Sequence, residues 1–204
     1  MRKVSVILIA RNESQKIPTT LECIRNQSFE GEMEIICVDD GSHDNTATIC
    51  KEFGAKVVSL TKSRGISFAR SVGFKESSGA VVFFVDSDLY LREDAVENVV
   101  ARLESDPQIG GVCGRYVSFY KPSDLNILRD IRRQSVGRKR EKPRVISLSN
   151  FTTFSGGLCA LKREALEGIE IDCDFAGVAC EDMFIALQVL GQGYIQERLL
   201  HVEK

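Results

Sequence analysis

The chain predicts an α/β fold, a mostly parallel central sheet flanked by helices, on three observations. Largely apolar runs of strand length at Val4–Ile9, Glu34–Val38 and Ala80–Val85 are too continuous for a sheet with one wet face, and they fit strands covered on both sides. Segments of helical period lie between them, an alternation that calls for parallel strands joined by right-handed crossovers. Two of the runs stop at aspartates, Asp39-Asp40 and Asp86-Ser87-Asp88, which puts acids at the sheet edge where open α/β folds bind ligands.

Each element has its own warrant. After the first strand, Ala10-Arg11-Asn12-Glu13 leaves the sheet as a loop. Pro18 suits the first turn of a helix, where its missing N–H costs little, and Ile17, Leu21 and Ile24 give that helix an apolar stripe. The second strand ends in Asp39-Asp40-Gly41-Ser42; Asp44 then suits the N-cap of a helix over about 45–53, and Gly54 is placed to end it. A third strand follows at Lys56–Leu60. Arg64-Gly65 opens the way to a helix at Ser67–Ser77, with Phe68, Val72 and Ala69 facing inward. Beyond Asp88, the residues Ala95, Val96, Val99, Val100 and Leu103 recur at helical spacing within Glu93–Glu104, and Asp106-Pro107 stops that helix. Ile109–Tyr120 is strand-like but broken by Gly110, Gly111 and Gly114. Between Lys121 and Arg144 the chain turns polar and basic, which predicts a helix and then a mobile loop, a segment of about 121–150. Gly156–Leu161 reads as a strand, Arg163–Leu166 as a helical turn, Glu181–Leu190 as an amphipathic helix closed by Gly191 or Gly193, and Tyr194–Val202 as the last strand.

Composition narrows the class. A length of 204 residues makes one domain comfortably, and 43% hydrophobic with 27% charged residues is ordinary for a soluble globular protein. A net charge of -2 argues against a nucleic-acid partner held by overall charge, so phosphate recognition has to be local. The seven cysteines stand singly, with no C-x-x-C pair and with Cys37, Cys113 and Cys159 inside apolar stretches, so neither a zinc site nor a disulfide framework is supported. Their odd count favours a reducing cytosol. Met1-Arg2-Lys3 before VSVILIA looks like the start of a signal peptide, but the run ends at Arg11 with no small-residue cleavage site, and it reads as a strand. No segment reaches the ~20 apolar residues of a membrane span. The chain ends just after its last strand, as expected of the catalytic piece of something longer.

The acids carry the chemistry. Asp86 and Asp88 are two apart, so in extended chain both carboxylates face one spot beyond the sheet, where hard oxygen ligands suit Mg²⁺ or Mn²⁺ with phosphate and water completing the shell. The plainer alternative is a solvated acidic turn. Asp39 and Asp40 end a neighbouring strand; Asp-Gly-Ser is good turn chemistry, and a carboxylate there also suits a nucleobase or ribose. Four aspartates on one edge repel one another unless a cation or ligand donors balance them, which favours a site. Glu181-Asp182 opens the late helix, where acids are favoured by the dipole by up to about 1 kcal/mol; Asp182 also suits a general base. Arg64 and Arg70 flank a helix start and suit a diphosphate. His201 on the last strand is either an ordinary half-buried histidine or a metal ligand, and His43 is a turn residue.

In order, VSVILIARNE, VDDGSHDNT, RGISFARSVGFKESSG leading into VVFFVDSD, SGGLCALKREAL and CEDMFIALQVLGQG resemble the family-two glycosyltransferases with the GT-A fold, over nearly the whole chain. The resemblance implies a single domain over 1–204, with a nucleotide-sugar-binding half at 1–106, an acceptor-side half at 107–204, and a small antiparallel element in the latter. It implies inverting transfer from a nucleotide-activated sugar of UDP or GDP type. Asp40, helped by Asp39 and the backbone at Ala10, would hold base and ribose, with Glu13 and Arg70 nearby. Asp88 with Asp86 would hold the divalent ion on the diphosphate beside Ser87, and His201 would reach the same ion. Asp182, beside Glu181, would deprotonate the acceptor hydroxyl, while Gly156-Gly157 would let acceptor and sugar pass close to the backbone.

The departures from that family are ARNE for the usual P-A-Y-N-E and S-V-G for R-N-x-G, and neither removes an expected carboxylate. The Q-x-x-R-W element of processive synthases is absent, which points to single-sugar transfer. Two rivals stand beside this reading. A sugar nucleotidyltransferase would carry a Gly-rich basic loop after its first strand, which ARNESQK is not, and a non-catalytic nucleotide-sugar-binding module would have no need of Asp182. The basic stretch from Arg129 to Arg144 is either a solvated loop or a surface for anionic acceptors and lipid headgroups, which would place the protein in the cytoplasm at the inner face of the membrane. The acceptor is expected to be a sugar, a protein or a lipid-phosphate.

Overall fold

The computed structural model describes residues 2–114, 144–146, 157–172 and 181–199. Within them the order is β1 (Lys3–Ala10), α1 (Ile17–Arg25), β2 (Glu32–Asp39), α2 (Thr46–Glu52), β3 (Lys56–Ser59), α3 (Ile66–Lys75), β4 (Val81–Asp86), α4 (Ala95–Glu104), β5 (Ile109–Gly114), β6 (Arg144–Ile146), β7 (Leu158–Lys162), a 3₁₀ turn at Glu164–Leu166, α5 (Glu181–Gly191) and β8 (Ile195–Leu199). The described strands form one sheet in the order β3-β2-β1-β4-β7-β5-β8-β6. β1 pairs in parallel with both β2 and β4, β2 with β3, and β5 with β8. The antiparallel members are β7, inserted between β4 and β5, and the edge strand β6.

The apolar strand runs are buried on both faces. Phe83 and Val85 face one core with α1, α2 and α4, while Phe84 and Val82 face the other with α3 and α5. Burying each such side chain contributes about 1.5–3 kcal/mol, so β4 is anchored from both sides and its end is held firmly at the sheet edge. The five apolar residues assigned to the face of α4 are all buried, as are Ile17, Leu21 and Ile24 of α1. All five described cysteines are buried, with Cys37 and Cys50 in contact at 2.8 Å between sulfurs. At the far side, Glu197 of β8 is 2% exposed and meets Arg102 of α4 through two hydrogen bonds of 2.5 and 2.6 Å, a buried charge answered by its partner.

Three expectations change. The buried face of α3 is Ala69, Arg70, Ser71 and Gly73, whereas Phe68 and Val72 are only half-buried. A Cβ on Gly73 would lie 2.4 Å from Ile7 Cγ2, so a small residue lets α3 sit directly on β1. Asp44 is one residue short of the cap position, which Asn45 holds, although its Oδ1 still accepts the Thr46 N–H at 3.0 Å. Within the stretch expected to be a helix and mobile loop, residues 144–146 form β6, because β8 presents an open edge for them to pair with. The rest of that stretch lies outside the described residues. No helix among the described residues is long and apolar enough to cross a membrane.

Candidate functional site

The sheet reverses direction of growth at β1: β2 and β3 lie on one side of it, β4 on the other. This switch point opens a crevice at the carboxyl ends of the strands, the place where α/β sheets take ligands. Register fills it with acids, since Ala10 pairs with Asp39 on one side of β1 and Ile9 with Asp86 on the other. The two aspartate motifs therefore share one edge, separated by a single strand.

Three loops form the wall on the β2 side, laced by side-chain hydrogen bonds. Asn12, which has φ 55°, donates its N–H to the Ser42 hydroxyl oxygen at 2.9 Å and accepts the His43 N–H on Oδ1 at 2.8 Å. Thr46 Oγ1 accepts the Glu13 N–H at 2.9 Å, and Asp44 Oδ2 accepts the Ser14 N–H at 3.1 Å. The Thr46 hydroxyl on Asp44, with further bonds from Ser14, holds that carboxyl well below the usual carboxylate range. Gly41 has φ 72°, and an added Cβ would meet the Lys62 carbonyl carbon at 2.8 Å, so glycine admits the loop after β3 against the loop after β2.

Asp39 and Asp40 are each 5% exposed but have different work. Asp40 receives the Ser63 hydroxyl at 2.6 Å, the Arg64 N–H at 2.7 Å and the Gly65 N–H at 3.2 Å. Those bonds spend both oxygens on the loop that leads into α3. Asp39 accepts one described side-chain bond, from the Ser42 N–H to Oδ1 at 3.1 Å. The Ala10 carbonyl accepts the Asp40 N–H at 2.9 Å, which ties the β1 end to both.

On the β4 side, Asp86 and Asp88 have side chains 38% and 40% exposed. Arg70 lies one turn inside α3 rather than at its start, is 3% exposed, faces the Phe84 ring at 5.8 Å and stands 4.0 Å from Asp86 Oδ1. Arg64 stacks over Phe68 at 4.1 Å. Ser87 is buried, and its carbonyl accepts the hydroxyl of Thr20 in α1 at 2.8 Å, which clamps the turn between the two aspartates. Lys16 at the head of α1 reaches Asp88 Oδ2 at 3.8 Å and Glu13 Oε2 at 3.4 Å. Gly157 borders the same edge, its carbonyl accepting the Asp86 N–H at 2.9 Å.

Glu181 and Asp182 form the first turn of α5. This helix ends where β8 begins and β8 runs parallel to β5, so α5 crosses back over the sheet with its first turn toward the carboxyl edge. Gly156 and His201 lie outside the described residues. Lys16, Thr20 and Ser63 had escaped the reading of the sequence. Lys16 and Thr20 stand four apart at the start of α1, so their shared helix face was a usable signal for the first two.

Asp86 and Asp88 offer hard, solvent-reachable oxygens, with the Arg70 guanidinium 4.0 Å from Asp86 and the Lys16 ammonium 3.8 Å from Asp88. Among the described residues no group of three or more His, Cys, Asp or Glu is placed to hold an ion unaided. Such a donor set suits a small divalent cation that brings phosphate and water oxygens with it.

A family model described as glycosyl transferase family 2 matches residues 5–169. The chain is 30% identical over 171 residues to a poly-beta-1,6-N-acetyl-D-glucosamine synthase of Staphylococcus epidermidis, covering 81% of this chain and 41% of that protein. It is 29% identical over 177 residues to a dolichol-phosphate mannosyltransferase of Pyrococcus furiosus, covering 83% and 49%. The chain thus spans less than half the length of these relatives. Among solved structures it is similar to a fragment of S. aureus TarS in complex with UDP-GlcNAc, with a TM-score of 0.78 at 21% identity, covering 99% of this chain and 58% of that one. It is also similar to the mannosyltransferase PcManGT from Pyrobaculum calidifontis in complex with GDP-Man and Mn²⁺, with a TM-score of 0.73 at 23% identity, covering 100% and 57%. At these identities the likeness shows the fold, the GT-A arrangement of a mostly parallel sheet with an antiparallel insertion.

Proposed function

This chain belongs to glycosyl transferase family 2, and on that basis we propose that it moves a sugar, with inversion, from a nucleotide-diphosphate sugar to an acceptor hydroxyl or lipid phosphate. The supporting observation is the pairing of Ala10 with Asp39 and of Ile9 with Asp86, which brings both acid motifs to one crevice. In this reading residues 1–106 bind the donor and 107–204 serve the acceptor. Asp39 and the laced loops receive the base and ribose, and Asp40 shapes that wall from behind. Asp86 and Asp88 hold a divalent cation, Mg²⁺ or Mn²⁺, which when bound neutralises charge on the diphosphate and on the departing nucleotide. Thr20 keeps the turn bearing them in place, and Arg70 lends positive charge beneath Asp86. Asp182, at the head of α5, takes the acceptor proton as its oxygen attacks the anomeric carbon from the face opposite the nucleotide.

The test is a panel of UDP- and GDP-sugars with Mg²⁺ or Mn²⁺, read by thermal shift and by release of nucleoside diphosphate. Stabilisation by one donor that needs the divalent ion is expected, and no donor binding with either ion refutes the proposal. Products carrying one added sugar are expected with a sugar, protein or lipid-phosphate acceptor, and a ladder of products would replace single transfer with polymerisation. Contact of the basic segment at 121–150 with a membrane surface predicts salt-sensitive binding to anionic vesicles.

A further inference from the structure

Lys16 stands at the proposed donor site with no role yet assigned to it. Its backbone is fixed at the head of α1, with its N–H on the Glu13 carbonyl at 3.0 Å, and one turn later Thr20 is bonded to the Ser87 carbonyl at 2.8 Å. These two ties hold the base of the lysine at a set distance from the turn that bears Asp88. The side chain itself is 57% exposed, and its ammonium lies 3.4 Å from Glu13 Oε2 and 3.8 Å from Asp88 Oδ2. A lysine is a point charge on a flexible four-carbon stem, so it can change partners without moving the helix.

We propose that Lys16 is the resident counter-cation of this site and a donor-phosphate ligand: it balances Asp88 and Glu13 until a divalent ion takes Asp88, and then turns to the diphosphate, an assignment that rests on the donor site proposed above. An ammonium beside Asp88 Oδ2 and a divalent ion on the same carboxylate repel each other, so the ion displaces the ammonium. Exposed ion pairs are weak, which makes the exchange easy. The diphosphate that accompanies the ion is then the strongest anion within reach. Lys16 thus opposes the bare ion and favours the nucleotide, two effects of opposite sign from one charge.

The opposite signs make the test. Mn²⁺ is titrated calorimetrically into the chain without nucleotide, and UDP and GDP are titrated at saturating Mn²⁺, for wild type, Lys16→Gln, Lys16→Arg and Asp88→Ala. Lys16→Gln is expected to bind Mn²⁺ about two- to five-fold tighter and its preferred nucleotide about two- to five-fold weaker, the scale of an exposed ion pair. Lys16→Arg should return both toward wild type, and added salt should shrink both differences. If Lys16→Gln moves both affinities the same way, or neither, while Asp88→Ala abolishes Mn²⁺ binding, the role of Lys16 is overturned and the donor site stands. If Asp88→Ala leaves Mn²⁺ binding intact, the metal assignment fails and the role of Lys16 fails with it.

Discussion

Replacing Asp40 by Asn should cost stability, whereas replacing Asp39 by Asn should cost nucleotide binding. Asp40 Oδ1 accepts the Arg64 N–H at 2.7 Å, and Oδ2 accepts the Ser63 hydroxyl at 2.6 Å and the Gly65 N–H at 3.2 Å. An asparagine turns one of those oxygens into a donor, so whichever way the amide is set, a backbone N–H of the loop faces another N–H. Bonds to a charged acceptor contribute about 1.5–3 kcal/mol each, so losing the charge and one bond at a site 5% exposed should cost about 2–4 kcal/mol. For a chain of this size that corresponds to a fall in Tm on the order of 5–10 °C. Asp39→Asn keeps an oxygen for the described bond at 3.1 Å from the Ser42 N–H, so it should lose less than about 1 kcal/mol. Urea unfolding followed by circular dichroism gives the stabilities, and titration with UDP or GDP gives the affinities. The division of labour is refuted if Asp40→Asn unfolds together with wild type, or if Asp39→Asn is the less stable of the two.

Three further outcomes follow from particular contacts. Asp182→Asn should lower transfer by about 10²–10⁴-fold while donor binding stays intact, and a loss of donor binding in that variant would contradict a general base. The Asp44 carboxyl titrates lower in the folded chain than in the unfolded one because the Thr46 hydroxyl and Ser14 bond to its charged form. Its stabilising effect is therefore full above the unfolded pKa of about 4 and is lost as pH falls below it, so the stability gap between wild type and Asp44→Asn should narrow from pH 7 to pH 3; a gap that widens would reverse the sign. Gly73→Val should cost about 1–3 kcal/mol by overpacking against Ile7 and Val38, and should weaken donor affinity by shifting Arg70 on the same helix, both read by chemical unfolding with and without nucleotide.

The strands and their carboxylates were legible in the one-dimensional pattern because both depend on local rules. A strand buried on two faces needs an uninterrupted apolar run, and a chain leaving such a strand into a crevice shows it by an abrupt change to acids, as at Val85-Asp86 and Val38-Asp39. Helix α4 was equally readable, since its five buried residues sit on one stripe of period 3.6. Helix α3 was not, because its buried face is built from small residues and an arginine that hydrophobicity ranks poorly, and closeness to Ile7 decides which side goes in. The pairing of 144–146 with β8 depends on an edge supplied by residues some fifty positions away.

Sequence alone determined the fold class, the family and the acids that gather at one edge, because each is written in short runs of neighbouring residues. Only the tertiary structure separated Asp39 from Asp40, put Thr20 behind Ser87 and brought Lys16 to Asp88, because those relations join loops and helices distant in the chain. Which oxygen a hydrogen-bond donor reaches is set by the packing of whole elements, and no local pattern of residues encodes that distance.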